Sequence, residues 1–368
     1  MRAWICLLLA AGCSSSGGWY DDARVFVQGV GVLDTDCRTQ ICQHNENTDL
    51  VLWNDAMWLV HRTAESQVLG PNSALHVYRS DDGGATFTET ALIPAPTDRD
   101  LRDPHFYIVG GDLHIKALTR LPVLSARDSD VDTISVDTHT SDGSAWTDLA
   151  PIGPPTWSFW RVREQDGVYY TAAYEDGDLS VKLFTSTDGT TWSEGPYIYQ
   201  VAEDTPLETE LTFMPSRRLL ALVRMDGTDD ELIGNGPRLR TKICWAEPPY
   251  DVFDCPQEFG DQRLDGPLTF FWNDRLFVVA RKHLADGNRK RTSLFEITGD
   301  FDGGGELAIV EHGELPSAGD TAYAGAAPSG DRMIVSWYSS DIAADEPWAR
   351  AMVQASDIWL ASLDLSAL

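Results

Sequence analysis

Six segments of this chain each open on an unusual polar motif, then run through an apolar strand, a turn and a second strand. They begin near His44 (HNEN), Arg102 (RDPHF), Ser158 (SFWRV), Glu208 (ETELTF), Gly266 (GPLTFF) and Asp320 (DTAYAG), at intervals of 50 to 58 residues. Four of the second strands also end alike, on Arg62 (LVHR), Arg120 (KALTR), Arg224 (LALVR) and Arg281 (VVAR). A fixed period of this length marks a repeat whose units bury their apolar faces against one another. Helical periodicity is almost absent, and short apolar runs alternate with turn residues. A β-sandwich would have no need of such a period. The pattern predicts an all-β, six-bladed β-propeller over residues 25–368, with the strand-like stretch Arg24–Val32 completing the last blade and closing the ring.

The composition suits a large all-β domain. Of 368 residues, 43% are hydrophobic and 13 are Trp, enough to fill a core. The formal net charge of −29 argues against a nucleic-acid partner, because phosphate backbones demand clustered Lys and Arg. The same charge repels anions at long range, so an anion site needs local arginines. A monomer is expected.

The N-terminus reads as a processing signal. Arg2 precedes the apolar run from Ala3 to Ala11, and Ala10-Ala11-Gly12-Cys13 sets small residues before a cysteine. This resembles a bacterial lipoprotein signal, which implies removal of residues 1–12 and lipidation of Cys13. An ordinary cleaved secretion signal is the alternative. Residues 13–24, with Ser14-Ser15-Ser16-Gly17-Gly18, then read as a tether. The chain is expected to be exported and held to the outer membrane or cell surface by its lipid alone, since no later run approaches the ~20 apolar residues of a membrane helix. Four cysteines remain, and in an exported chain Cys37–Cys42 and Cys244–Cys255 are the expected disulfides. Neither pair has the spacing or nearby histidines of a zinc site. No metal or other cofactor is expected.

Three turns share one pattern. They are Ser80-Asp81-Asp82-Gly83 with Phe87, Thr140-Ser141-Asp142-Gly143 with Trp146, and Ser186-Thr187-Asp188-Gly189 with Trp192. The hydroxyl and carboxylate can bond nearby backbone, the glycine supplies positive φ, and the aromatic tucks back against its own sheet. The pattern resembles the Asp box (BNR repeat) of sialidase-like propellers. Its place, in the outer hairpins of the first three units, is structural and not catalytic.

In a propeller the innermost strands all start at one end of the central axis, so the six opening motifs should converge there. They bring Glu46, Arg102, Asp103, His105, Trp160, Arg161, Glu208, Glu210, Asp320 and Tyr323, with Arg62, Arg120, Arg224 and Arg281 at their border. The resemblance to sialidases (neuraminidases) gives some of these a role. It implies a tyrosine nucleophile in the last blade, similar to Tyr323, and a partner glutamate opening the fourth, similar to Glu208. It also implies an arginine some sixteen residues after that glutamate, similar to Arg224 within ETELTFMPSRRLLALVR. Arg281 is similar in position to a further arginine of the cluster that grips the substrate carboxylate. The physical logic is independent. A sugar with a carboxylate on its anomeric carbon repels an anionic nucleophile, whereas a neutral phenol activated by a glutamate avoids that repulsion. Planar guanidinium groups grip the carboxylate in bidentate fashion.

The chain departs from that pattern at its start. His44-Asn45-Glu46-Asn47 stands where the resemblance calls for Arg-Ile-Pro, and only Glu65 lies where an acid/base aspartate is expected. Asp103 is therefore the expected acid, with Glu46 and Glu65 behind it, and one of Arg62 or Arg102 completes the arginine set. Trp160 reads as core or as a sugar-stacking platform. His44 and His105 read as hydrogen-bonded structural residues. The expected activity is removal of terminal sialic acid or a related acidic sugar from glycans. Two alternatives stay open: a non-catalytic propeller that binds a glycan or a protein, and a glycosidase for another sugar that uses Asp103 with Glu208.

Overall fold

A computed structural model of the chain describes residues 18–31, 36–68, 70–121, 132–175, 179–227, 240–260, 262–285, 288–301 and 305–368. Residues 1–17, which hold the expected signal segment and Cys13, lie outside the described residues. Among those described are 24 strands in antiparallel order. The first unit is β2 (His44–Trp53), β3 (Ala56–Ala64), β4 (Ala74–Ser80) and β5 (Thr88–Pro94). The second is β6 (Asp100–Val109), β7 (Asp112–Arg120), β8 (Ile134–Thr140) and β9 (Ala150–Pro151). The third is β10 (Ser158–Gln165), β11 (Val168–Glu175), β12 (Ser180–Ser186) and β13 (Ser193–Tyr199). The fourth is β14 (Pro206–Phe213), β15 (Leu219–Met225), β16 (Arg240–Ala246) and β17 (Asp254–Phe259). The fifth is β18 (Leu264–Trp272), β19 (Arg275–His283), β20 (Lys290–Gly299) and β21 (Leu307–Glu314). The last is β22 (Thr321–Ser329), β23 (Arg332–Ser340) and β24 (Ser356–Leu363), with β1 (Tyr20–Val27) as its outer strand.

Units two to five are separate four-stranded sheets, whereas the first and last form one eight-stranded sheet. The six expected units are thus present as four separate sheets and one sheet that joins the first unit to the last. The join is one parallel pair, His44 with Ser356. Because β1 comes from the N-terminus and β22–β24 from the C-terminus, the two ends of the chain share a blade, and this closes the ring.

Side chains explain why the strands form where they do. Four of the six first hairpins turn on two residues of positive φ, at Asn54-Asp55, Gly110-Gly111, Asp166-Gly167 and Asn273-Asp274, the geometry that matches strand twist. Strands covered by blades on both sides become continuous apolar runs, as in β15 (LLALVRM), buried throughout. Between the first two blades Trp58, Val60, Leu75, Leu101, Phe106 and Ile115 pack into one cluster.

The three repeated turns join the third and fourth strands of blades one to three. Ser80, Thr140 and Ser186 accept from the backbone N–H of Gly84, Gly143 and Gly189 at 2.8–2.9 Å. Asp82, Asp142 and Asp188 accept from the N–H of Thr86, Ser144 and Thr190 at 2.8–2.9 Å. The expected disulfides Cys37–Cys42 and Cys244–Cys255 are both formed. Among the described residues no helix is long and apolar enough to cross a membrane.

Candidate active site

Every first strand carries a register break near its start. The breaks fall between Glu46 and Thr48, Arg102 and His105, Phe159 and Val162, Pro206 and Thr209, Asp265 and Leu268, and Ala322 and Gly325. A bulge of this kind re-aims the side chain of its extra residue. Asn47, Asp103, Gly266 and Tyr323, all within these breaks, have φ between 48° and 54°. The polar motifs that open the six units are therefore the bulges, and repetition of the bulge is what turns their side chains toward one another at the axis.

Tyr323 and Glu208 meet there. The Tyr323 hydroxyl donates to Glu208 Oε1 at 2.5 Å, and Arg224 Nη1 donates to Glu208 Oε2 at 2.5 Å and to the Tyr323 oxygen at 3.0 Å. The backbone N–H of Gly266 also donates to Glu208 Oε2, at 3.0 Å. Arg281 lies over the Tyr323 ring, 4.9 Å from its centroid, and Trp160 meets that ring edge-on at 5.9 Å. Burial, then the Glu208 charge, holds the Tyr323 phenol well above its ordinary range. At rest the hydroxyl is protonated, and its hydrogen bond points at the carboxylate that would take the proton.

On the adjacent arc Asp103 accepts from the Asn47 side-chain amide. Burial pushes its pKa up to about 6, with Arg102 and Lys116 opposing and the charges of Glu208 and Glu46 adding to the rise. A carboxyl group poised near neutrality is what proton donation to a leaving group requires. Lys116, behind it, is held down at about 7 by burial, against the pull of Asp103.

The arginines divide into two kinds. Arg62 donates Nη2 to both Asp100 oxygens at 2.7 and 2.9 Å, and Nη1 to Glu46. Arg281 donates to Asp320 at 3.0 Å and to the Tyr338 oxygen at 2.8 Å. These two are 0% and 1% exposed and lie behind the site. Arg224 and Arg102, at 6% and 8%, reach its surface together with Tyr323, Glu208 and Asp103 at 6–7%. Arg224 is also bound by Asp226, at 2.6 and 2.9 Å, and by Asp265 at 3.2 Å. Arg102 donates Nε to Asp100 at 2.6 Å, but its buried Nη2 has no hydrogen-bond partner.

No family model matches the sequence, and no curated protein matches it. Solved structures do match over nearly the whole chain. The NanB sialidase of Streptococcus pneumoniae superposes with a TM-score of 0.67 at 9% identity, covering 92% of this chain and 71% of that one. The sialidase of Trypanosoma rangeli gives 0.64 at 11% identity, over 93% of this chain and 59% of that one. A Dyadobacter fermentans protein of unknown function gives 0.62 at 15% identity, over 93% and 99%. The fold is that of the sialidase propellers. A Bombyx mori GH32 β-fructofuranosidase, at 0.50 and 12% identity, extends the likeness to a second group of glycoside hydrolases.

Within this sialidase-type propeller the residues singled out from sequence fall into layers. Tyr323, Glu208, Arg224, Asp103 and Arg102 share the axial surface. Glu46 is sealed beneath it at 1% exposure, and Trp160 is wholly buried, a wall behind Tyr323 with no face to solvent. Arg161 and Glu210 belong to a deeper set. Arg161 donates to Asp49 at 2.7 Å, Glu210 accepts from Arg163, and the set borders a cavity of about 230 Å³ lined also by Thr269 and Pro328. Alternation along the strand sends these side chains below the bulge, away from Tyr323. Sequence reasoning missed the counter-ions Asp100, Asp226 and Asp265, and it missed Gly266 as the floor under Tyr323.

Proposed function

We propose that the protein is an exported, lipid-anchored glycoside hydrolase of exo-sialidase type. Its substrate is a glycan ending in sialic acid or a related acidic sugar. The observation that carries this reading is the 2.5 Å hydrogen bond from Tyr323 to Glu208 with Arg224 on both. A tyrosine–glutamate pair in place of two carboxylates suits a sugar whose anomeric carbon bears its own negative charge.

In the first step the Tyr323 oxygen attacks the anomeric carbon while its proton passes to Glu208. The glycosidic C–O bond breaks, and Asp103 gives its proton to the departing oxygen. In the second step water attacks the glycosyl–tyrosine, Asp103 takes the water proton, and the tyrosine leaves with the proton held by Glu208. Arg224 stabilises charge on the phenol oxygen. Arg102, with its spare Nη2, and Arg224 hold the sugar carboxylate, and Arg62 and Arg281 keep their neighbours in place.

A second reading has one observation in its favour. The positive charge of Arg224, Arg62 and Arg281 is already answered by buried carboxylates, which leaves less for an anionic ligand. It supports a glycosidase for an uncharged sugar using Asp103 with Glu208, or a propeller that only binds glycans. Incubation with a 2,3-difluorosialic acid followed by peptide mass mapping separates the readings. A covalent adduct on Tyr323 is expected. No adduct, with saturable glycan binding and no turnover of a fluorogenic sialoside, would sink the sialidase reading.

A further inference from the structure

One buried cluster has polar atoms that no neighbour answers. His44 opens β2, Glu46 follows two residues on, and Asp320 immediately precedes β22, so the three meet at the seam between the first and last blades. Their side chains are 0–1% exposed. His44 Nδ1 lies 2.7 Å from the Gln354 carbonyl oxygen. That oxygen only accepts, so Nδ1 carries the proton and Nε2 faces the other way. Nε2 is 3.4 Å from Glu46 Oε2 and 3.6 Å from Asp320 Oδ2, and none of the three atoms has a hydrogen-bond partner. The other oxygen of each carboxylate is taken. Glu46 Oε1 accepts from Arg62, and Asp320 Oδ1 accepts from Arg281, Tyr338 and Trp348 at 2.9–3.0 Å.

A second proton on His44 would pair it with both carboxylates, at 3.4 and 3.6 Å. It would neutralise charge, but both separations exceed the ~2.7–3.2 Å of an N–H···O hydrogen bond. A metal ion fits the two separations that involve His44, and all three ligand atoms lie within 4.8 Å of one another. Ligand atoms ~2.0–2.2 Å from a tetrahedral ion lie ~3.3–3.6 Å apart. The surroundings fit as well, since a ligating histidine usually donates its other N–H to a carbonyl or carboxylate, and ligating carboxylates are themselves hydrogen-bonded.

We propose that His44 Nε2, Glu46 Oε2 and Asp320 Oδ2 bind a divalent transition-metal ion of the Zn²⁺ class, with one coordination position left for water. Imidazole with two carboxylates is a donor set for such an ion. The ion ties the first strand of blade one to the opening of blade six, beside the parallel pair of His44 with Ser356. It is a clasp on the closed ring, loaded as the ends of the chain come together. Glu46 is then a ligand and not an acid. His44 is more than a hydrogen-bonded structural residue. A second cluster, His114, Asp137 and His139, is less suited, because Asp137 already accepts from Tyr107 at 2.7 Å and pairs with His114 at 3.0 Å.

Metal analysis of the full mature chain, purified without chelator and then dialysed against ZnCl₂ and metal-free buffer, tests this. About one zinc per chain is expected in the wild type and in His114→Ala. A loss of about tenfold is expected in His44→Ala and in Asp320→Asn. Chelation of the wild type should lower Tm, and zinc should restore it. X-ray absorption on the wild type, which needs no variant to fold, should show an imidazole and oxygen ligands without sulfur. A wild type without stoichiometric metal, a zinc shell lacking imidazole, or metal that survives His44→Ala and is lost in His114→Ala would overturn the proposal.

Discussion

The Tyr323 hydroxyl donates to Glu208 Oε1 at 2.5 Å across 115 residues of chain, from a bulge in the sixth blade to a bulge in the fourth. If this bond moves the proton during attack, Tyr323→Phe removes both nucleophile and proton. Turnover of a fluorogenic sialoside should fall by roughly 10³-fold or more. The ring still packs against Trp160, so the fold should persist, at a cost of about 1–3 kcal/mol for the donor that Glu208 loses. Turnover that survives the substitution would shift the chemistry to Asp103 and Glu208.

Asp103 sets the alkaline limb. Its pKa of about 6 means the acid is protonated below that pH and ionised above, so kcat/KM should fall as pH rises through about 6. Asp103→Asn should lower turnover by roughly 10²–10⁴-fold and abolish that limb. Stability moves in the same direction. A carboxyl whose folded pKa is raised binds more protons folded than unfolded, so stability falls from about pH 4 to pH 6. Asp103→Asn should therefore melt higher than the wild type at pH 7, by something on the order of 1–3 kcal/mol, and no higher at pH 4. Equal melting at both values would show that Asp103 carries no burial cost.

Much of this was legible in the sequence, for a physical reason. Strand starts, the period of 50–58 residues and the pairing of Glu208 with Arg224 depend on local order along one blade, and a repeat displays local order six times. The pairing of Arg224 with Asp226, one residue past the end of β15, continues a strand rule: residues i and i+2 share a face. The same rule gives Asp100 with Arg102 and Arg263 with Asp265, which bond at 2.6 Å in both cases. What local order cannot show is which blades' side chains touch across the axis. The hydrogen bond of Asn47 with Asp103 and the contact of Gly266 with Tyr323 depend on how neighbouring blades pack, and the seam of His44, Glu46 and Asp320 depends on ring closure.

Gly266 tests the floor of the site. A Cβ there would stand 3.0 Å from three Tyr323 ring atoms, at a φ of +54°. Ring and backbone would have to give way together. Gly266→Ala is expected to cost about 1–3 kcal/mol in stability. A displaced phenol should also lower kcat by about 10²-fold, with KM little changed, since positioning is lost and binding is not. An unchanged kcat would mean that Tyr323 is not held by Gly266.

Arg62 and Arg102 lie side by side on Asp100, yet the two should fail in different ways. Arg62 is sealed and supplies the positive charge for Asp100 and Glu46. Removing one partner of a buried ion network leaves uncompensated charge, so Arg62→Ala should cost about 3–5 kcal/mol and lower Tm sharply. Arg102 stands at the site's surface, and its Nη2 makes no hydrogen bond, with Glu46 Oε1 3.8 Å away. Its loss should cost less stability and instead raise KM for an anionic sugar by roughly 10-fold or more, the worth of one charge-assisted hydrogen bond. KM for an uncharged sugar should stay put. Paired measurements of Tm and KM on the two variants decide the matter. If Arg62→Ala raises KM at an unchanged Tm, the arginine that grips the substrate is Arg62, and the layering described for the site is inverted.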